Sequence, residues 1–369
     1  RANFSSVEAM RVNGLQSRSI DVMRFAMILL VVVLHAYTST RSDFSAGDFP
    51  VYRLVSFVCS LEIAQTAVPA LFFISGFLFF LHPKPYKTKL RKTSKRLIVP
   101  YLLWNALILA LYFGVEQIPA LSKYFSGVNP PVSGYSFVNF LQAFWDSGEW
   151  RGGNGTPILH QFWYIRNLIL LALLSPAIRL FVRGFGWWGA AALWGVWLAT
   201  PGQAFLIESL AFFTAGACFS LRHTDFLSMF SRFATTTLLL YIALMTVHMI
   251  FRDNGLVPLD RVVFTLGIIV GTNLSVRFVT ARERRETPHS IRARNYPGLR
   301  GMGFFLFALH DPMLTLLKRI AMKLSGTPSD FSLTVIYILI PLLVIAIAVG
   351  LYRLLNRHTP SLLKTLTGR

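Results

Sequence analysis

The sequence predicts an all-α protein, a polytopic transmembrane helical bundle of about ten spans with the N- and C-termini cytoplasmic. Three observations carry that prediction. The first is composition: 54% of the 369 residues are hydrophobic and 14% are charged, with a mean hydropathy of +0.54, which leaves too little polar surface to cover a soluble globule of this size. The second is segmentation. Apolar runs near the roughly 20 residues that cross about 30 Å of hydrocarbon recur at about 22–39, 54–81, 97–115, 160–182, 185–200, 203–221, 234–251, 261–280, 301–321 and 332–353. The third is charge: Lys and Arg number 36 against 16 Asp and Glu. In a soluble protein that excess would point to nucleic acid, but in a membrane protein it belongs in the cytoplasmic loops, so the lipid bilayer is the expected partner and nucleic acid is not.

With the first residue inside, 26 of the 36 basic residues fall in inner segments. They are the cluster from Lys84 to Arg96, the pairs Arg179 with Arg183 and Arg222 with Arg232, the stretch from Arg277 to Arg300, and both ends of the chain. The spans are expected to be helices because hydrocarbon supplies no partner for a backbone N–H or C=O. The fifth is short enough to be partly re-entrant, and the longest outer segment, about 116–158, is rich in Gly, Pro, Ser and aromatics. The chain is expected to form a single domain over 1–369, with 1–20 and 355–369 as cytoplasmic tails and no cleavable signal peptide. Cys59 and Cys218 both lie in apolar runs, so neither a disulfide framework nor a metal site is expected.

The informative residues are ionisable groups inside the spans, because each costs several kcal/mol unless it faces a cavity or a partner. They are Arg24, His35, Glu62, Arg166, Glu208, His248 and His310. For Glu208 and His248 a pairing that locks the bundle stands level with a functional role. Arg24 and His35 share one helix face, since eleven residues at about 100° each make three turns and about 20° more, and they stand roughly 16 Å apart along the axis. Asp21 is placed to pair with Arg24 or to serve as an ordinary cap. A neutral His35 beside a hydroxyl is suited to general-base work, and Glu62, in the outer half of the second span, is expected to orient it. Arg166 is suited to hold an oxyanion, or to act as counter-ion to Glu208 or Glu62. Ser75 is a conceivable nucleophile, although Ser75-Gly76 reads better as a small pair that lets helices approach. His310 precedes Pro312, which loosens a helix, and packing is the plainer role for it. Trp145, Trp150, Trp163 and Tyr164 either stack on sugar rings or anchor at the membrane interface.

At these residues the chain resembles the membrane acyltransferase-3 family, whose first span carries an Asp, an Arg and, eleven positions after that Arg, a His. The end of the second span, Val68-Pro69-Ala70-Leu71-Phe72-Phe73-Ile74-Ser75-Gly76-Phe77-Leu78, resembles the family's Phe-Phe-x-x-Ser-Gly-Phe signature, with one residue fewer between the Phe pair and Ser75. The basic cluster ending Lys95-Arg96-Leu97-Ile98-Val99-Pro100 resembles its Arg-rich inner loop, Trp163-Tyr164-Ile165-Arg166 its Trp-aromatic-x-Arg entry, and His310-Asp311-Pro312 its late His-x-Pro element. One departure is Asn167, in a place where Asp is expected. The resemblance implies an acyltransferase of groups other than amino-acyl, in the bacterial inner membrane. It would move an acyl group, usually acetyl, from cytosolic acyl-CoA to a hydroxyl of an envelope polysaccharide or glycolipid.

His35, Arg24 and Glu62 would then be catalytic, with His35 as base or as acyl carrier. Arg166, His310, Trp163 and Ser75 would meet the substrate. Arg24, Arg91, Lys92, Lys95 and Arg96 would bind the phosphates of acetyl-CoA, although the positive-inside rule alone explains the sign of that loop. A transporter or flippase of a sugar or lipid-linked glycan is the rival reading, but no inverted repeat is visible. The predicted orientation has a direct check. A cysteine replacing Lys87 should resist a membrane-impermeant maleimide in intact cells and one replacing Ser126 should react; the reverse pattern would invert the topology.

Overall fold

The computed structural model describes residues 14–37, 49–82, 84–119, 131–147, 155–202, 204–251, 257–285, 297–327 and 329–369. The readings on Trp150 and on the Ser126 probe position lie outside them. Among the described residues there is no strand. The helices are α1 (Gly14–Ala36), α2 (Pro50–Leu81), α3 (Tyr86–Glu116), the short α4 (Phe137–Gln142), α5 (Trp163–Leu173), α6 (Ser175–Ala199), α7 (Phe205–Leu221), α8 (Phe226–Arg232), α9 (Ala234–Phe251), α10 (Val257–Glu283), α11 (Pro297–Ser325), α12 (Asp330–His358) and α13 (Pro360–Thr367).

Six of the described helices are long and apolar enough to cross a membrane, and up to eight spans result if each of two bent pairs is one span. The expected segments 160–182 and 185–200 are divided differently: the break falls at Leu174, where α5 and α6 meet at 68°. Gly186 then bends α6 with φ 57°, a left-handed conformation that disfavours any residue with a Cβ, and a Cβ there would also lie 2.0 Å from Arg222 Nη2. The expected 301–321 segment falls within α11, which carries His310, Asp311 and Lys318 and lies outside the apolar set. The expected tails are also structured. Residues 14–20 belong to α1, and 355–369 complete α12 and form α13. In α13 Leu363 and Leu366 are buried, and the Leu366 carbonyl accepts from Trp104 Nε1 at 3.0 Å.

Polar contacts define the two ends of the bundle. At one end the start of α1 meets the start of α8, the end of α10 and the start of α11: Gln16 Nε2 donates to Asp225 at 3.0 Å, Arg18 pairs with Glu283 at 2.6 Å, and Arg300 grips Asp21 through Nε at 2.9 Å and Nη2 at 2.8 Å. At the opposite end the Asp330 carboxylate accepts from the Val51 and Tyr52 N–H groups at 3.1 and 2.8 Å. An acidic group there caps the start of α2 and complements its dipole.

The core is densest where α2 crosses α7. A Cβ at Gly76 would sit 2.0 Å from the Phe213 carbonyl oxygen, and one at Gly216 would sit 2.0 Å from that of Phe73. The two backbones therefore touch, as small residues permit between helices in lipid. Ser75-Gly76 thus has the close-approach role expected for the glycine. Gly76→Ala should lower the melting temperature in detergent by an amount corresponding to about 1–3 kcal/mol. Gly195→Ala, where nothing lies within 4 Å, should leave it in place.

Candidate active site

His35 stands in the last turn of α1, where carbonyls lack intrahelical partners. Its own carbonyl accepts from Lys318 Nζ at 2.9 Å. Its ring Nδ1 lies 3.6 Å from Asp311 Oδ1, and both side chains are partly exposed, at 21% and 27%. Asp311 and Lys318 are seven residues apart, two turns of α11, so one face of that helix presents a carboxylate and an ammonium to the end of α1. Two more imidazoles complete the cluster. The His310 ring centroid is 5.1 Å from that of His35, and the His160 ring meets His35 edge-on at 6.0 Å.

His160 opens a short 3₁₀ turn, His160–Phe162, ahead of α5. Its Nδ1 is 3.2 Å from Thr156 Oγ1. The Thr156 carbonyl in turn accepts from the backbone N–H and the hydroxyl of Ser147 at 2.7 and 3.0 Å, so the segment after α4 is tied to the cluster. His310 Nδ1 lies 2.7 Å from the Phe307 carbonyl. Gln161 Nε2 donates to the Ala308 carbonyl at 3.0 Å. The remaining acceptors, His310 Nε2 and Gln161 Oε1, are buried without a hydrogen-bond partner among the described residues, a state that costs about 1–3 kcal/mol per group.

Arg24 lies near the middle of α1, about three turns before His35. Its electrostatic neighbours are Tyr164, Asp21, Arg300 and Arg369. The hydrogen bonds of the Asp21 carboxylate go to both arms of Arg300, with Arg24 as an electrostatic neighbour. Ser75 shares this neighbourhood: its Oγ is 3.2 Å from the Tyr164 hydroxyl, which ties it to the surroundings of Arg24 and not to the imidazole cluster. Arg91, Lys92, Lys95 and Arg96 all lie along the first turns of α3, outside the core, and a Cβ at Gly368, just past α13, would meet the Arg96 carbonyl at 2.2 Å.

Three expectations change. Glu62 does not serve His35. It sits on a π-helical stretch of α2, Phe57–Ile63, fully buried, and bonds to His248 Nδ1, while His248 Nε2 lies 2.5 Å from Asp260. The carboxylate at His35 is Asp311, and His248 takes the locking role, joining α2, α9 and α10. Arg166 turns to the segment after α4: it donates to the Trp145 carbonyl and lies 5.3 Å from the centre of the Trp145 ring, while among the described residues no ion pair joins it to Glu208 or Glu62. Trp163 is a core residue, 7% exposed and stacked on Phe205 at 4.2 Å. Trp145 by contrast is 54% exposed. Glu208 has Arg261 and Trp197 as its electrostatic and hydrogen-bonding neighbours.

His160, Asp311 and Lys318 were not among the residues predicted for the site. Asp311 and His160 stand inside or beside motifs quoted above, and the seven-residue spacing of Asp311 and Lys318 is readable in the sequence. Nothing local to the chain says that this spacing faces His35.

A family model described as an acyltransferase domain matches residues 17–353. The chain belongs to the acyltransferase-3 family. It is therefore an acyltransferase, and its apolar helices make it a multi-pass membrane protein. Among curated relatives it is similar to the succinoglycan biosynthesis protein ExoH of Rhizobium meliloti (strain 1021), with 26% identity over 367 residues that cover 95% of this chain and 92% of that protein. No solved structure matches. In this acyltransferase the Glu62 lock and the His35 cluster are separable. Glu62→Gln should lower the melting temperature, since removing one partner of a buried pair costs about 3–5 kcal/mol. The acyl-transfer rate per folded molecule should stay near wild type; a selective loss of rate without loss of stability would return Glu62 to the site.

Proposed function

We propose that this acyltransferase moves an acyl group, most simply acetyl, from cytosolic acyl-CoA to a hydroxyl of an extracytoplasmic polysaccharide, working in the inner membrane. The observation that carries the reading is the convergence of His35, His160, His310, Asp311 and Lys318 at one end of α1, with the Arg24 guanidinium about three turns back on the same helix. A single helix then joins a phosphate-attracting guanidinium to an imidazole cluster, over a separation of roughly 16 Å. The similarity to a succinoglycan biosynthesis protein favours an exopolysaccharide as the acceptor.

In the reaction the acceptor oxygen attacks the thioester carbonyl as the His35 imidazole takes its proton, a contribution of roughly 10²–10⁴-fold. The C–O bond forms and the C–S bond breaks. The departing thiolate of coenzyme A then receives the proton from the imidazolium, so the His35 ring ends neutral. Asp311 near Nδ1 orients the ring and favours the imidazolium while it lasts. Lys318 holds the end of α1 in place through the His35 carbonyl and sets a positive charge near Asp311. An acyl-imidazole on His35 is the other route through the same residue. At the donor end Arg24 meets the phosphates of coenzyme A. The basic cluster Arg91, Lys92, Lys95 and Arg96 raises the local concentration of that anion.

The test is transfer of label from radiolabelled acetyl-CoA in proteoliposomes to alkali-deacylated succinoglycan. His35→Ala should abolish transfer. Asp311→Asn, which keeps the shape and removes the charge, should reduce it by roughly 10²-fold without changing the melting temperature. Equal transfer by wild type and His35→Ala would overturn the mechanism.

A further inference from the structure

His310 faces the His35 ring and Gln161 follows His160 in the turn beside it, and the hydrogen bonds they make decide what they still have to offer. A carbonyl oxygen only accepts, so the 2.7 Å contact with Phe307 requires His310 Nδ1 to carry the hydrogen. In the neutral ring Nε2 is then a bare lone pair. The same logic orients the Gln161 amide: Nε2 is the atom on the Ala308 carbonyl at 3.0 Å, which leaves Oε1 as the open acceptor. Both side chains are buried, His310 at 0% and Gln161 at 2% exposure, and neither acceptor atom has a partner among the described residues. Gln161 follows His160, whose ring meets His35, and its amide bonds to α11 two residues before His310, whose ring lies 5.1 Å from that of His35, so both acceptors border the cluster. Of the nearby polar groups, Lys318 gives one N–H to the His35 carbonyl and the Thr156 hydroxyl faces His160 Nδ1.

We propose that His310 Nε2 and Gln161 Oε1 form a hydroxyl-receiving subsite for the carbohydrate acceptor, binding hydroxyls that flank the one reacting at His35. The inference rests on the acyl-transfer reading above and deepens it. Two unpartnered acceptors bordering one cluster attract O–H groups and repel phosphate or carboxylate, which bring only lone pairs. A sugar ring carries adjacent hydroxyls and matches that pattern; an anionic group does not. The subsite thus selects a neutral polyol face and excludes acidic substituents next to the acylated position. It also orders the sugar so that a single hydroxyl is left for His35. As the sugar enters, the half-buried rings of His35 and His160 turn aside.

The experiment is steady-state kinetics in proteoliposomes, with acetyl-CoA and alkali-deacylated succinoglycan varied separately. His310→Phe and Gln161→Met should each raise the KM for the polysaccharide about tenfold, equivalent to about 1.4 kcal/mol, and leave the KM for acetyl-CoA in place. His310→Gln, which restores an amide acceptor near the Nε2 position, should recover part of the loss. An unchanged polysaccharide KM would show that the two acceptors are met by water alone and would overturn the subsite. A parallel rise in both KM values with a lowered melting temperature would also overturn it, as a purely structural role. If His310→Phe fails to fold, the same polysaccharide can be bound to the transfer-silent His35→Ala protein with and without Gln161→Met. Binding weakened about tenfold by Gln161→Met would support the subsite, and equal binding would overturn it. Wild type that transfers no label at all would refute the acyl-transfer reading itself, whereas active wild type with unaffected variants refutes the subsite alone.

Discussion

Hydrocarbon supplies no hydrogen-bond partner, and this constraint organises the molecule. A polar side chain drawn into the bundle needs a partner, and several find it on another helix, so the polar residues that composition makes scarce become joints of the fold. His248 joins three helices through Glu62 and Asp260. Arg261 gathers the carbonyls of Trp197, Leu198, Thr200 and Gly202 at the end of α6. Asp330 holds the first N–H groups of α2. Apolar packing between helices adds little specificity in lipid, since lipid tails are as apolar as leucine. Register comes instead from these joints and from the backbone contact at Gly76 and Gly216.

The same constraint explains why the imidazole cluster is assembled from distant parts of the chain. His35 is the end of α1, His160 belongs to the turn before α5, and His310, Asp311 and Lys318 belong to α11. No single helix could bear all five at membrane depth and stay apolar enough on its remaining faces. Spreading them leaves each helix mostly hydrophobic while one shared interior becomes polar. α11, the most heavily burdened, is less apolar than the six helices suited to crossing a membrane, and it lies against α1, α12 and the His160–Phe162 turn.

The segment after α4 extends this coupling beyond the bundle. Ser147, Thr156 and His160 form a hydrogen-bonded chain. Arg166 holds the adjacent Trp145 from beneath by both its carbonyl and its ring. An exposed indole is thereby attached to the cluster through a chain of hydrogen bonds.

Much of this was legible in the residues alone. Composition and apolar spacing determined the class of fold, because a chain with so little polar surface has one stable environment. The eleven-residue interval from Arg24 to His35 determined that they share a face, because helix periodicity is local. The motifs around Ser75-Gly76, Trp163 and His310 determined the family. Only the tertiary structure decided the partners. Glu62 and Asp311 are both carboxylates in spans, and sequence depth placed the wrong one at His35, because depth along the axis says nothing about which neighbour a face meets. The break at Leu174 was invisible for a related reason: two helices joined at an angle read as one long apolar run. A sequence records the periodicity and burial of each helix, but the pairing of faces depends on how all of them pack at once.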